Sequence, residues 1–364
     1  MQRRDFLKLS GATALGGVLP LAGMQAARGQ AQAGGWRQFE VTTEVNLIDG
    51  GPTRVWVPLP LNRDTPFFRH IASDWKSNAD RGGYQRDPVY GAGMYYAEWD
   101  APKAEPNVVI TSRVAMRDWA VDLSAPKAQP VQLNAEERDL YLGSTEHVPT
   151  DGIVGTTARK IMLGAGSGAT DKAHAIYDWI VDNTYRNPKT RGCGTGDIRF
   201  LLESGDYGGK CADLNALFVG LARASGIPAR DVYGIRVADS KTFAALGKAG
   251  NITRAQHCRA EFYNPLYGWV PVDPADVRKV VLEEEGRVLP IDHPKVVAAR
   301  ERLFGSWEMN WMPYNTAMDL SLPPSTTARL NFLMYPYAES PKGKPDPYEP
   351  DVFSYKITSR EILT

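Results

Sequence analysis

The stretch from Gly208 to Arg230, GGKCADLNALFVGLARASGIPAR, constrains the fold most, because it joins a tight glycine turn to a helix that begins at a cysteine. Its apolar residues occupy most sides of that helix, which indicates a helix packed inside a domain. Gly226, followed two residues later by Pro228, is the expected end of the helix. A thiol in the first turn lies near the positive end of the helix dipole, which favours the thiolate. Cys211 is therefore either an activated nucleophile or a small buried apolar residue.

A second stretch, Ala255–Val277, reads AQHCRAEFYNPLYGWVPVDPADV and predicts a β-hairpin. Alternation places Cys258 on the core face of the first strand and His257 on the opposite face. A hairpin centred on Pro265 pairs His257 with Asp273, so the two side chains are expected to touch. Because the pairing depends on the register, a one-residue slip would remove this contact.

A cysteine at a helix start, followed by histidine and aspartate on adjacent strands, is the arrangement of papain-like acyl transfer. The segments GGKCADLNALFVGLARASGIPARDVYG, HCRAEFY and GWVPVDP resemble the transglutaminase-like superfamily over roughly residues 135–281. The resemblance implies Cys211 as nucleophile, His257 as base and Asp273 as the acid that orients it. Family members commonly have tryptophan two residues after the histidine, and Arg259 stands there in this chain, so it is expected to form a charged wall of the substrate cleft.

The resemblance also implies the chemistry. Cys211 attacks a protein or peptide amide, its backbone N–H helps to hold the oxyanion, and Tyr207 in the approach turn is a candidate second oxyanion donor. The outcome is proteolysis, deamidation or cross-linking, according to whether water or an amine resolves the thioester. The alternative is a catalytically idle binding module of the same fold in the cell envelope.

Residues 1–33 predict a removable twin-arginine signal peptide. Arg3-Arg4-Asp5-Phe6-Leu7-Lys8 precedes a mildly apolar stretch and the small-residue site Ala31-Gln32-Ala33. The expected location is periplasmic or extracellular, with no membrane span after removal of the signal.

Lysine and arginine total 42, against 42 for aspartate and glutamate, and the leader is basic, so the mature part is slightly acidic. This balance does not suggest nucleic acid or a polybasic membrane surface as a partner, and the protein or peptide substrate is what the resemblance implies. No cofactor motif is present. The cysteines lack C-x-x-C spacing and the histidines lack i, i+4 pairing, so no metal site is predicted.

The mature length favours more than one domain. The predicted fold class is α+β: an N-terminal β-sandwich-like domain (34–131) before a transglutaminase-like, papain-like core (132–290). A C-terminal extension (291–364) is expected to add two strands, Arg329–Ala338 and Phe353–Thr358, that pack on the core.

Three cysteines in an exported protein leave one odd thiol. Because Cys211 has to stay free for catalysis, a disulfide is expected between Cys193 in the Gly192–Gly196 loop and Cys258.

Overall fold

The computed structural model describes residues 35–47, 53–101, 105–325 and 329–363. The predicted signal peptide lies outside the described residues. The described residues belong to one compact unit. The fold is mixed, with several β-sheets at the N-terminal side and a core of helices and antiparallel strands, which confirms the predicted α+β class.

The strands are β1 (Arg37–Asn46), β2 (Thr53–Pro58), β3 (Phe68–Ser77), β4 (Arg81–Arg86), β5 (Gly93–Trp99), β6 (Asn107–Met116), β7 (Trp119–Ala120), β8 (Tyr185–Arg186), β9 (Gly208–Gly209), β10 (Ala229–Arg236), β11 (Gly250–Asn251), β12 (Gln256–Asn264), β13 (Gly268–Val272), β14 (Ser306–Trp307), β15 (Trp311–Asn315), β16 (Tyr337–Glu339) and β17 (Tyr355–Ile362).

The helices are α1 (Ala135–Leu142), α2 (Gly152–Met162), α3 (Ala169–Asn183), α4 (Ile198–Ser204), α5 (Cys211–Ala224), α6 (Pro274–Glu283), α7 (Pro294–Arg302) and α8 (Pro350–Phe353). Among the residues described, no helix is both long and apolar enough to cross a membrane.

The N-terminal strands form two antiparallel sheets. One has the order β11-β17-β1-β6-β3 and the other β16-β2-β5-β4. Alternate residues of β1, such as Phe39, Val41 and Val45, are buried in the same core cluster as Val55 of β2, so the sheets share an apolar interior. This arrangement agrees with the β-sandwich-like expectation.

The two C-terminal strands predicted to pack on the catalytic core pair instead with N-terminal strands. β17 runs antiparallel to β1 from Gln38 opposite Ile362 to Val45 opposite Tyr355, and β16 pairs with β2. Alternation in a sequence identifies a strand but not the sheet edge that it joins, which explains the difference. The chain therefore returns to the sheets in which it began.

The core sheet has the order β13-β12-β10-β15, and helix α5 packs against it. Helices α2, α3 and α6 cover the other sides of α5, so its residues from Cys211 to Arg223 are buried. The helix ends before Gly226, whose φ of 80° lies in the left-handed region that suits glycine. The predicted buried helix that begins at Cys211 is thus present.

Candidate active site

The start of α5 is fixed by a glycine loop and one buried carboxylate. Asp213 accepts hydrogen bonds from the backbone N–H groups of Lys210 (3.0 Å), Thr195 (2.9 Å) and Gly196 (3.0 Å). Gly194 has a φ of 94°, and a Cβ there would lie 1.9 Å from Asp213 Oδ2, so only glycine fits. This tight contact holds the glycine loop against the helix mouth.

The backbone at this mouth leaves one donor free. The N–H of Ala212 donates to the Cys193 carbonyl (2.9 Å), whereas that of Cys211 has no partner among the described residues. A free N–H at a helix N-terminus favours negative charge nearby.

His257 and Asp273 meet as expected, with Nε2 2.8 Å from Oδ2. Both side chains are almost fully buried. The other oxygen of Asp273, Oδ1, caps α6 by accepting from the Asp276 N–H (3.1 Å) and also accepts from the Asn215 side chain of α5 (3.1 Å). The carboxylate is therefore held by three partners, and it fixes the imidazole relative to α5.

The hairpin register behind this contact differs from the prediction. Tyr263 lies opposite Trp269 and Ala260 opposite Val272, which is a two-residue shift from a hairpin centred on Pro265. An even shift keeps every side chain on its predicted face. Asp273 lies just past the end of β13, at the diagonal position from which its side chain still reaches His257.

A second carboxylate, which the sequence analysis missed, also faces the imidazole. Asp276 Oδ2 lies 3.3 Å from His257 Nε2, and its other oxygen accepts from buried Arg236 at 2.6 Å. Burial and the Arg236 charge act to lower the pKa of His257, but the Asp276 and Asp273 charges outweigh them and raise it to about 9. The sequence D-P-A-D could have indicated Asp276, because it places a second acid three residues after the aspartate that caps the helix.

All three cysteines are free thiols, and they cluster at the helix mouth. The pKa of Cys211 lies well below its ordinary value, although burial acts to raise it. The largest causes are hydrogen bonds from the thiols of Cys193 and Cys258, and the interaction with His257 adds to them. These interactions stabilise the Cys211 thiolate.

The expected disulfide between Cys193 and Cys258 is not present. The Cys193 Sγ contacts the Gln256 carbonyl (3.2 Å) and accepts from the Tyr335 hydroxyl (3.0 Å). Because α5 packs across β12, the Cys258 thiol faces the nucleophile as well, which strand parity alone did not predict.

Two further site predictions are corrected. Arg259 does not line the cleft, because it is buried behind Asp273 (Nε to Oδ2, 3.6 Å) and its guanidinium lies over the Trp311 ring at 4.8 Å. Tyr207 does not line the cleft either, because its ring packs against Trp179 at 5.9 Å. Neither side chain is placed to contact a substrate at Cys211.

Cys211 and His257 both line a cleft of about 720 Å³. Tyr335, Tyr348 and Tyr355, from the C-terminal part of the chain, contribute to its walls. The cleft is thus built by the catalytic core together with the segment that returns to the N-terminal sheets.

Two groups of side chains place three potential metal ligands within 4.8 Å of one another. They are His257, Asp273 and Asp276 in the site, and Glu146, His147 and Asp319 elsewhere. In the first group Arg236 and Arg259 already contact the carboxylates, and their positive charges oppose a bound cation. The donor set therefore fits an imidazole held by acids better than a metal centre.

Known proteins support this assignment of the fold. The model of the transglutaminase-like superfamily matches residues 155–274. An uncharacterized protein of Haemophilus influenzae is 36% identical over 346 residues, covering 89% of this chain and 91% of that protein.

Among solved structures, a candidate cysteine protease from Cytophaga hutchinsonii is similar with a TM-score of 0.50 at 15% identity, over 90% of this chain and 99% of that one. The periplasmic domain of TgpA from Pseudomonas aeruginosa aligns with a TM-score of 0.34 at 16% identity, over 69% of this chain and 91% of that one. With the superfamily match spanning the nucleophile helix and the hairpin, the chain belongs to the transglutaminase-like superfamily.

Proposed function

We propose that the protein is a cysteine-dependent enzyme that cleaves or transfers the acyl group of protein or peptide amides. Cys211 is the nucleophile, His257 the general base and acid, and Asp273 the residue that orients the imidazole. The observation that carries the proposal is the opposed pair of pKa shifts, that of Cys211 far below its ordinary value and that of His257 raised to about 9. A thiol pKa held this low beside an imidazole pKa held this high favours a resting site with a thiolate next to an imidazolium.

In the first step the Cys211 thiolate attacks the amide carbonyl, forming an S–C bond and an oxyanion. The free Cys211 N–H is the donor available to this oxygen. Because the acids occupy Nε2 of His257, Nδ1 is the nitrogen left to exchange protons at the cysteine. The imidazolium protonates the leaving nitrogen, the C–N bond breaks, and a thioester remains.

In the second step neutral His257 removes a proton from water or a primary amine, which attacks the thioester. The S–C bond breaks and the thiolate and imidazolium are restored, so the cycle is balanced in protons. Asp273 keeps the ring in place throughout, held in turn by Asn215 and by the start of α6.

The test is alkylation of the native protein near pH 6 with iodoacetamide. An ordinary thiol is mostly protonated at this pH and reacts slowly, whereas the Cys211 thiolate reacts at once. We expect one adduct, mapped to Cys211 by peptide mass spectrometry, and none in Cys211→Ala.

Turnover is then measured on a peptide library with and without an added primary amine. Products that disappear in Cys211→Ala separate an enzyme from an idle binding module of the same fold. A native protein without a fast-reacting thiol contradicts the proposal.

We also propose that the protein acts in the cell envelope after export by the twin-arginine route. The proposal rests on the predicted signal peptide in residues 1–33. Replacement of Arg3 and Arg4 by lysine should keep the protein in the cytoplasm, as fractionation and immunoblotting would show.

A further inference from the structure

The cleft above Cys211 is strongly unbalanced in charge. Besides His257, seven lysine and arginine side chains line it, and Asp351 is the only acidic one among the described lining residues. The protein as a whole carries equal numbers of basic and acidic residues, so this excess is local.

Four of the basic groups are already paired with three carboxylates, because Glu283 contacts two of them. These are Arg236 with Asp276 (2.6 Å), Arg254 with Asp351 (3.0 Å), and Arg186 and Lys279 with Glu283 (2.5 and 3.5 Å). They shape the cleft but leave little charge for a ligand.

The remaining three, Lys210, Lys248 and Lys356, form no ion pair within the part of the chain that is described. They come from three separate segments. Lys210 directly precedes Cys211, Lys248 lies just before β11, and Lys356 is on β17. Three distant parts of the sequence thus bring uncompensated ammonium groups to one cleft.

The tyrosine hydroxyls in the cleft walls are already in use. The hydroxyl of Tyr335 donates to Cys193 Sγ, that of Tyr348 to the Gly194 carbonyl (3.3 Å) and that of Tyr355 to the Pro347 carbonyl (2.6 Å). Among the described side chains of the walls, the three lysines therefore remain as strong donors for a bound molecule.

We propose that the substrate of Cys211 is an acidic peptide, with carboxylates close to the amide that is attacked. This inference rests on the proposed function and adds the substrate class. A cleft of about 720 Å³ is roughly 9 Å across, close to the Debye length of about 8 Å at physiological ionic strength, so salt does not fully screen the lysines from a ligand inside. A cleft lined by one sign of charge also concentrates ligands of the opposite sign.

The magnitude follows from exposed ion pairs. Each lysine is expected to favour a carboxylate about two- to threefold, so three together give about tenfold. A substrate in which glutamines replace the glutamates loses this factor, and the loss should shrink at high salt.

The first experiment needs no substrate. Rates of Cys211 alkylation by anionic iodoacetate and neutral iodoacetamide are compared at pH 7, each normalised to a free thiol in solution. The variant replaces Lys210, Lys248 and Lys356 by Gln. A matched control replaces Lys76, Lys160 and Lys172, which do not line the cleft.

We expect the iodoacetate-to-iodoacetamide ratio to fall about tenfold in the cleft variant and to stay unchanged in the control. The His257 charge and the α5 dipole act on both proteins equally, so the difference isolates the lysines. An equal ratio in wild type and cleft variant overturns the inference and leaves the proposed thiolate intact. Failure of both reagents to label Cys211 contradicts the proposed function itself.

The second experiment compares kcat/KM for three kinds of peptide. The first has glutamate on either side of the scissile amide. The second has glutamine there and a free C-terminus, and the third has glutamine there and an amidated C-terminus. Preference for the first identifies side-chain carboxylates, and preference for the second identifies the terminal carboxylate. Either preference supports the inference if it is lost in the variant that lacks the three cleft lysines. Equal turnover of all three overturns the inference while confirming an enzyme.

Discussion

Asp276 should set the alkaline limit of catalysis, although no motif predicts a role for it. Its carboxylate bridges His257 (3.3 Å) and Arg236 (2.6 Å) in the protein interior. Asp276→Asn keeps the shape of the side chain and removes its charge. The imidazolium then loses one of its two acids while the Arg236 charge remains beside it.

The size of the effect follows from the pKa of His257. A pKa of about 9, against an ordinary value of about 6.5, corresponds to about 3 kcal/mol in favour of the imidazolium. Asp276 and Asp273 together supply this stabilisation and also offset burial and the Arg236 charge, so loss of Asp276 should remove at least half of the net shift. The pKa of His257 should therefore fall to about 7.5 or lower in Asp276→Asn.

The sign of the pH dependence is set by the raised pKa. The imidazolium is present below about pH 9 in the wild type, and turnover is lost as pH rises through that value, because the leaving nitrogen then lacks its proton donor. In the variant the loss of turnover should begin more than one pH unit lower. The assay is kcat/KM for a peptide substrate against pH, with the His257 ring titrated by NMR in parallel.

Unpaired Arg236 lowers stability, because removing one member of a buried ion pair typically costs about 3–5 kcal/mol. The double variant Asp276→Asn with Arg236→Met removes both charges, so its alkaline limit should lie between those of the single variant and the wild type. Asp319→Asn is the matched control, since Asp319 pairs with His147 away from the cleft. A folded Asp276→Asn protein whose turnover still declines near pH 9 would refute the role of Asp276.

Four other outcomes are expected. Cys211→Ala should abolish turnover and preserve the melting temperature. The double variant with His257→Ala should lose scarcely more turnover, because Cys211 and His257 act as one catalytic unit; an active Cys211→Ala protein would end the assignment. Asp273→Asn should reduce turnover less than Cys211→Ala and keep the cap of α6, because asparagine and aspartate are similar N-caps; kinetics and thermal melts measure both. Cys193→Ala should move the acid limb of Cys211 alkylation to higher pH, since the Cys193 thiol stabilises the thiolate; an unmoved limb would exclude that contact. Burial raises the pKa of Asp231, so the wild type should lose stability relative to Asp231→Asn as pH rises above about 4, where the unfolded Asp231 ionises first; equal slopes in chemical denaturation would contradict this.

Local patterns predicted the parts of the site that are close in sequence. A glycine turn followed by an apolar helix gave the position of Cys211 at the start of α5. Alternation in one strand gave the face of His257. The hairpin register was wrong by two residues, yet the His257–Asp273 contact formed, because an even shift leaves each face unchanged.

Contacts between distant segments were not predictable from such patterns. Strand parity separated Cys258 from His257, yet both side chains reach Cys211, because the position of α5 above β12 is a tertiary feature. The sheet joined by β17 was likewise set by the open edge of β1 and not by the sequence of β17.

The same return of the chain explains why the charge of the cleft was invisible in the sequence. Lys210, Lys248 and Lys356 are spread over more than a hundred residues, and each alone resembles an ordinary surface lysine. Pairing of β17 with β1 and with β11 brings Lys356 next to the segment that carries Lys248. If this pairing builds the cleft, weakening it should affect substrate charge preference before it affects the nucleophile, since α5 is anchored separately by Asp213 and the core sheet. Gly250→Pro, in β11, provides that test: the iodoacetate preference of Cys211 should decline while fast labelling by iodoacetamide persists, and loss of both together would show that the cleft and the nucleophile are not independent.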